Sequence, residues 1–142
     1  MTTADLQAFA DRQAITDLIS GLGLWLDEKR FDDARSILTE DVTVDSPGGC
    51  TQGVELVADQ ACRNHDVDST QHVITNILID LAGDRATASA NLIATFVEDA
   101  DEAPYSLGAR YGFRAVRRPE GWRLSRVHVT PAWSRGRRPV VS

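Results

Sequence analysis

Residues 70–88, TQHVITNILIDLAGDRATA, decide the fold. His72 to Leu81 is rich in β-branched residues, Ala82-Gly83-Asp84 is a turn signal, and Ala86 opens a second stretch of the same texture, as in an antiparallel hairpin. Two further stretches follow, Leu107 to Arg118 and Trp122 to Trp133, parted by Pro119-Glu120-Gly121. The spacing predicts four long consecutive strands, over about residues 72–81, 86–98, 107–118 and 122–133.

Toward the amino terminus the period changes. Leu6, Phe9, Ile15, Leu18, Ile19, Leu22, Trp25 and Leu26 recur at steps of three and four, the stripe of a long helix. Phe31 to Leu38 predicts a short second helix with Asp32 or Asp33 in its first turn. Val42 and Val44 then alternate with polar residues in a strand, Pro47-Gly48-Gly49 makes a turn, and Val54 to Asn64 predicts a third helix carrying Leu56, Val57 and Ala61. Helices first and a meander afterwards indicate an α+β fold, three amino-terminal helices packed on a strongly curved, mainly antiparallel sheet. A sheet wrapped in this way around a helix encloses a cone-shaped pocket. No repeat or linker divides the chain, so a single domain is expected over residues 1–142.

The 142 residues are 42% hydrophobic and 25% charged, values of a packed globular domain. No apolar run approaches the roughly 18–20 residues of a membrane helix, and MTTADLQAFADRQ lacks the layout of a secretory signal, which points to the cytoplasm and away from a membrane. A net charge of −6 argues against nucleic acid as a partner. The charge is uneven: from Arg110 to Arg138 the chain carries nine arginines against one acidic residue, Glu120. They either pair with acidic helices and neighbours or form a basic rim for an anionic ligand. Cys50 and Cys62 stand in no ligand spacing, which argues against a disulfide framework and a structural zinc. No Gly-rich phosphate loop, nucleophile elbow, HExxH helix or EF-hand loop supports metal or cofactor chemistry.

Acid–base side chains remain. Asp27 follows the apolar stripe at the end of the first helix, where it either faces the pocket mouth or is solvated in the run DEKR. His72 opens the first of these four stretches, and strict alternation puts His72, Ile74 and Asn76 on one face. An imidazole titrates near neutral pH and suits enolisation or dehydration. In the next strand Ala86, Ala88, Ala90, Leu92, Ala94 and Phe96 share a face of small residues, which leaves room for a ligand or packs closely on a helix. Tyr111 and Tyr105 are candidate phenol donors to a carbonyl oxygen. His65, in RNHDVDST, reads as solvated, and His128 as a hydrogen-bonded structural residue.

Three segments together carry a resemblance over nearly the whole chain: LWLDEKRFDDARSILTEDVTVD (24–45), TQHVITNILIDLAGDRATA (70–88) and ARYGFRAVRRPEGWRLSRVHVTPAWSRG (109–136). They resemble the SnoaL-like branch of the superfamily that contains nuclear transport factor 2, ketosteroid isomerase and scytalone dehydratase. The resemblance implies a cystatin-like α+β barrel and a cofactor-independent lyase or isomerase. It also implies that Asp27, followed by Phe31, orients His72, which removes a proton beside a carbonyl and passes it to a leaving hydroxyl. The substrate class would be a small hydrophobic cyclic or polyketide-like carbonyl compound, with Trp25, Asn76, Tyr111, Tyr105 and Phe96 as its contacts. The chain departs from the dehydratase pattern in lacking a tyrosine just before Asp27 and a second pocket histidine in ATASANLIATFVED. An isomerase or cyclase centred on Asp45 in VTVDSP is the alternative chemistry. A non-catalytic ligand-binding or assembly module is the alternative class, because fold does not decide function. A homodimer is expected under each.

Overall fold

The protein is described from a computed structural model over residues 1–139. Helix α1 (Thr3–Asp27) starts in a capping box, with the Thr2 hydroxyl accepting from the Asp5 N–H and the Asp5 carboxylate accepting from the Thr2 N–H. Its stripe from Ile15 to Leu26 is buried, whereas Leu6 and Phe9 at its start are exposed. The expected second helix is a 3₁₀ turn, Phe31–Ser36, with non-helical backbone at Asp33. It stops because the chain is drawn into the sheet: the Leu124 N–H donates to the Ile37 carbonyl, and Leu38 begins strand β1 (Leu38–Ser46). After a two-residue turn, Gly49–Gln52 returns as the short strand β2, which lies where only a turn was expected. Helix α2 (Val54–Asn64) matches its expected bounds.

Strands β3 (Ser69–Ala82), β4 (Arg85–Val97), β5 (Tyr105–Arg118) and β6 (Gly121–Arg135) form the meander; β3, β5 and β6 extend beyond the predicted bounds, and β4 keeps its predicted length one residue earlier. The six strands run in the order β2-β1-β6-β5-β4-β3, antiparallel throughout except for the parallel pair β1–β6. The fold is therefore α+β, with helices packed on a mixed, mainly antiparallel sheet. Its inner face buries Ala86, Ala90, Leu92 and Ala94 from β4 and Tyr111, Phe113 and Ala115 from β5 against the α1 stripe.

Register shifts interrupt β3 between Thr75 and Leu78, β6 between Leu124 and Arg126, and the β1–β6 pair between Leu38 and Thr43; extra residues at such points bend a strand. In β3 the extra residue is Asn76, held at φ +57°, a conformation that asparagine tolerates better than most side chains. The interruption reverses the alternation, so that Ile77 and Ile79 turn toward the core while Asn76 and Leu78 are exposed.

At one end of the sheet, buried Asp11 of α1 accepts two hydrogen bonds from the Arg117 guanidinium at 2.9 and 2.6 Å, one from Trp122 Nε1 at 3.2 Å and one from Gln7 at 3.0 Å. The Arg117 fork is the main cause that holds the Asp11 carboxyl below the usual range. This network ties the amino-terminal half of α1 to the hairpin between β5 and β6.

Candidate functional site

Helix α1 delivers Asp27 from its last residue, and β3 delivers His72 from its fourth. They can meet because residue 23, one turn before Asp27, is glycine. A Cβ there would stand 3.1 Å from Ile74 Cδ1 and 3.5 Å from His72 Cβ, so the strand lies directly against helix backbone. His72 Nδ1 is 2.6 Å from Asp27 Oδ1, the His72 backbone N–H donates to Oδ2 at 2.9 Å, and buried Thr70 donates its hydroxyl to Oδ1 at 3.0 Å. A carboxylate can only accept in these contacts, so Nδ1 carries a proton and Nε2 of neutral His72 carries a lone pair.

His72 lines a cavity of about 590 Å³ between α1, α2 and the inner face of the sheet, and Asp27 stands behind the imidazole, outside the cavity wall. Trp25, Phe96, Tyr105 and Tyr111 all line the same space. Trp25 offers its ring alone: the indole N–H is covered, without a hydrogen-bond partner, and the ring meets Phe31 edge-on at 5.3 Å. Tyr111 is buried, and burial, with a smaller contribution from the Asp27 charge, raises its phenol pKa and keeps it a donor.

Three expectations need correction. Asn76 does not share the face of His72; the bulge places it on the exposed side of β3 and outside the cavity. Asp45 also lies outside the cavity, whose wall takes its neighbours Val44 and Ser46, as strand alternation requires. It accepts from Arg126 at 3.2 and 3.0 Å and from His128 Nδ1 at 2.7 Å, so it does not serve as the base of a cavity-centred isomerase. His65 is buried rather than solvated. It caps α2, its Nδ1 lies 2.7 Å from the Ala61 carbonyl, and its Nε2 lies 3.4 Å from His72 Nε2. Desolvation pushes its pKa down to about 4, against the pull of the Ala61 carbonyl.

Part of the arginine-rich half is absorbed in structural pairing. Arg117 bonds Asp11 and Asp84, Arg126 bonds Asp45, and Arg123 bonds the Arg35 carbonyl, while Arg138 alone of this group lines the cavity among the described residues. No cluster of three or more His, Cys, Asp or Glu residues is placed to hold a metal ion among the described residues. No helix there is long and apolar enough to cross a membrane.

Asp45 carries a pH dependence that can be checked directly. The Arg126 guanidinium, aided by His128, lowers its pKa to about 2. A carboxyl depressed on folding stabilises the protein above its unfolded value of about 3.9 and loses that effect as pH falls toward the folded value. The Tm gap between the natural protein and Asp45→Asn should be full at pH 5–7 and close by about pH 2. A gap unchanged over that interval would show that the ion pair adds nothing to stability.

The model of the SnoaL-like domain matches residues 7–128. The chain belongs to the SnoaL-like family. No curated protein sequence matches this SnoaL-like chain. Among solved structures it resembles the Kfla4162 protein of Kribbella flavida, at 25% identity and a TM-score of 0.85 over 90% of this chain and 95% of that one. A Novosphingobium aromaticivorans protein named after scytalone dehydratase superposes with a TM-score of 0.85 at 16% identity, over 95% and 93% of the two chains. A type 2 hexachlorocyclohexane dehydrochlorinase, LinA, superposes with a TM-score of 0.83 at 22% identity, over 92% and 91%. These two likenesses establish the fold, which another Novosphingobium aromaticivorans relative shares under the description of an NTF2-like protein with a cystatin-like fold.

Proposed function

We propose that this SnoaL-like protein is a cofactor-independent lyase or isomerase acting on a small hydrophobic carbonyl compound, with His72 as its general base and acid. The observation that carries this reading is the line Asp27–His72: a carboxylate outside the cavity fixes the imidazole tautomer, and the Nε2 it leaves unprotonated belongs to a side chain in the wall of an apolar space. A substrate ketone would accept a hydrogen bond from Tyr111. His72 Nε2 would remove the proton beside the carbonyl, leaving the C–H electron pair in an enolate, and Asp27 would stabilise the imidazolium. The imidazolium would then return the proton to a β-hydroxyl as the C–O bond breaks, releasing water and forming the conjugated alkene. Return to the γ-carbon of an unsaturated ketone would give isomerisation with the same groups. The names of the dehydratase and the dehydrochlorinase agree with proton abstraction followed by loss of a leaving group, and the apolar wall agrees with a hydrophobic substrate.

The test is a panel of cyclic β-hydroxy ketones, β,γ-unsaturated ketones and chlorinated cycloalkanes, followed by absorbance of the conjugated product or by chloride release. Turnover of either ketone class that disappears in His72→Gln supports the proposal. Turnover of chloroalkanes alone would replace the carbonyl substrate, and turnover indifferent to His72 would overturn the mechanism.

A further inference from the structure

Resting on that reading of His72, we propose that His65 is a positioning residue that accepts a hydrogen bond from the protonated Nε2 of His72, so that one proton lies between the two Nε2 atoms. His128 on β6 turns to Asp45 and does not line the cavity, and the second imidazole in the cavity wall comes instead from the C-cap of α2. A backbone carbonyl can only accept, so the 2.7 Å contact with Ala61 fixes the proton of neutral His65 on Nδ1 and leaves a lone pair on Nε2. That lone pair faces His72 Nε2 at 3.4 Å, too close for an intervening water.

His72 Nδ1 is committed to Asp27, so the one variable proton of the three-residue line lies between the imidazoles. With both rings neutral, two lone pairs face each other and no hydrogen bond exists. With His72 protonated, Nε2–H donates to His65 Nε2 and the imidazolium gains a second partner besides Asp27. The ring stack around them, Phe96 at 5.5 Å from His65 and 6.1 Å from His72, limits access of water to that proton. The charged groups that bear on His65 are Asp27, from behind His72, and Lys29, whose Nζ bonds the His65 and Val67 carbonyls. Burial weakens His65 as a base, which suits it to accept a hydrogen bond rather than to take up the proton.

The test is NMR of the imidazole nitrogens in the full-length ¹⁵N-labelled protein. Expected are a protonated Nδ1 and a lone-pair Nε2 on His65 and, once His72 is protonated, a ¹⁵N–¹⁵N coupling across Nε2–H···Nε2. In His65→Phe that coupling is lost and the His72 Nε2 proton exchanges with water about tenfold faster, the loss of one hydrogen bond, whereas His65→Gln, which keeps an acceptor oxygen, restores part of the protection. A proton on His65 Nε2, absence of the coupling in the natural protein, or exchange unchanged in His65→Phe overturns the proposal. The natural protein supplies the first two readouts even where a variant fails to fold. A His72 Nδ1 found without its proton would sink the Asp27–His72 base itself, so the two failures are distinct.

Discussion

Asp27→Asn is expected to lower kcat roughly 10³-fold on any substrate the protein turns over, while the chain stays folded and still binds ligand. The asparagine side chain is nearly isosteric, and because the His72 backbone N–H is a fixed donor its oxygen takes the place of Oδ2, while the Thr70 hydroxyl can turn to accept from the amide nitrogen in the place of Oδ1. That nitrogen, however, can face His72 only as a donor, which demands a lone pair on Nδ1 and moves the ring proton to Nε2. The base would then present a proton instead of a lone pair to the substrate. The same change in the Ser-His-Asp triad of serine proteases costs about 10⁴-fold, by the same tautomer reversal. Because Asp27 lies outside the cavity wall, KM should move little, and a kcat within tenfold of the natural value would dismiss the dyad. A non-catalytic binding module would instead respond in affinity or not at all.

The largest effect on stability is expected at the opposite end of α1. Asp11→Ala should cost about 3 kcal/mol, a fall in Tm of roughly 10 °C, because it strands the Arg117 fork and the Trp122 indole N–H in a largely buried setting. Arg117 keeps Asp84 as a partner and is one-third exposed, which holds the cost at the lower end for a broken buried pair. Urea denaturation at neutral pH measures it, and a loss below about 1 kcal/mol would mean that the network is no more than a surface ion pair. Turnover of the folded fraction should be unchanged.

Most of the architecture is legible in sequence because period alone separates the α1 stripe from the strands, and Gly83 and Gly121 mark the hairpins. Asp27 and His72 are legible as a pair through the family resemblance, and the structure brings them into contact. Alternation alone puts Asn76 on the wrong face because it says nothing about an extra residue; only the pairing with β4 reveals the bulge. The burial of His65 is hidden in the sequence for a different reason. Its polar neighbours Arg63, Asn64 and Asp66 describe a solvated helix end, whereas its burial is set by the return of β3 seven residues later and by Phe31 and Phe96 from elsewhere in the chain. The one local clue was a histidine four residues after Ala61, the spacing at which a helix-capping imidazole reaches a carbonyl. Asp45 could have been set aside from sequence, since Val42 and Val44 already claim the inner face of its strand.

Gly23 has a consequence that reaches past this chain. The gap between helix and strand is gauged by a side chain that is not there, and the carboxylate–imidazole distance is inherited from that gap rather than adjusted by the reacting groups. Chemistry and spacing are thus written in different letters of the sequence. A relative that keeps the acid and the histidine but carries a bulky residue one turn before the acid would hold its two jaws apart, and would own the reagents without the bite.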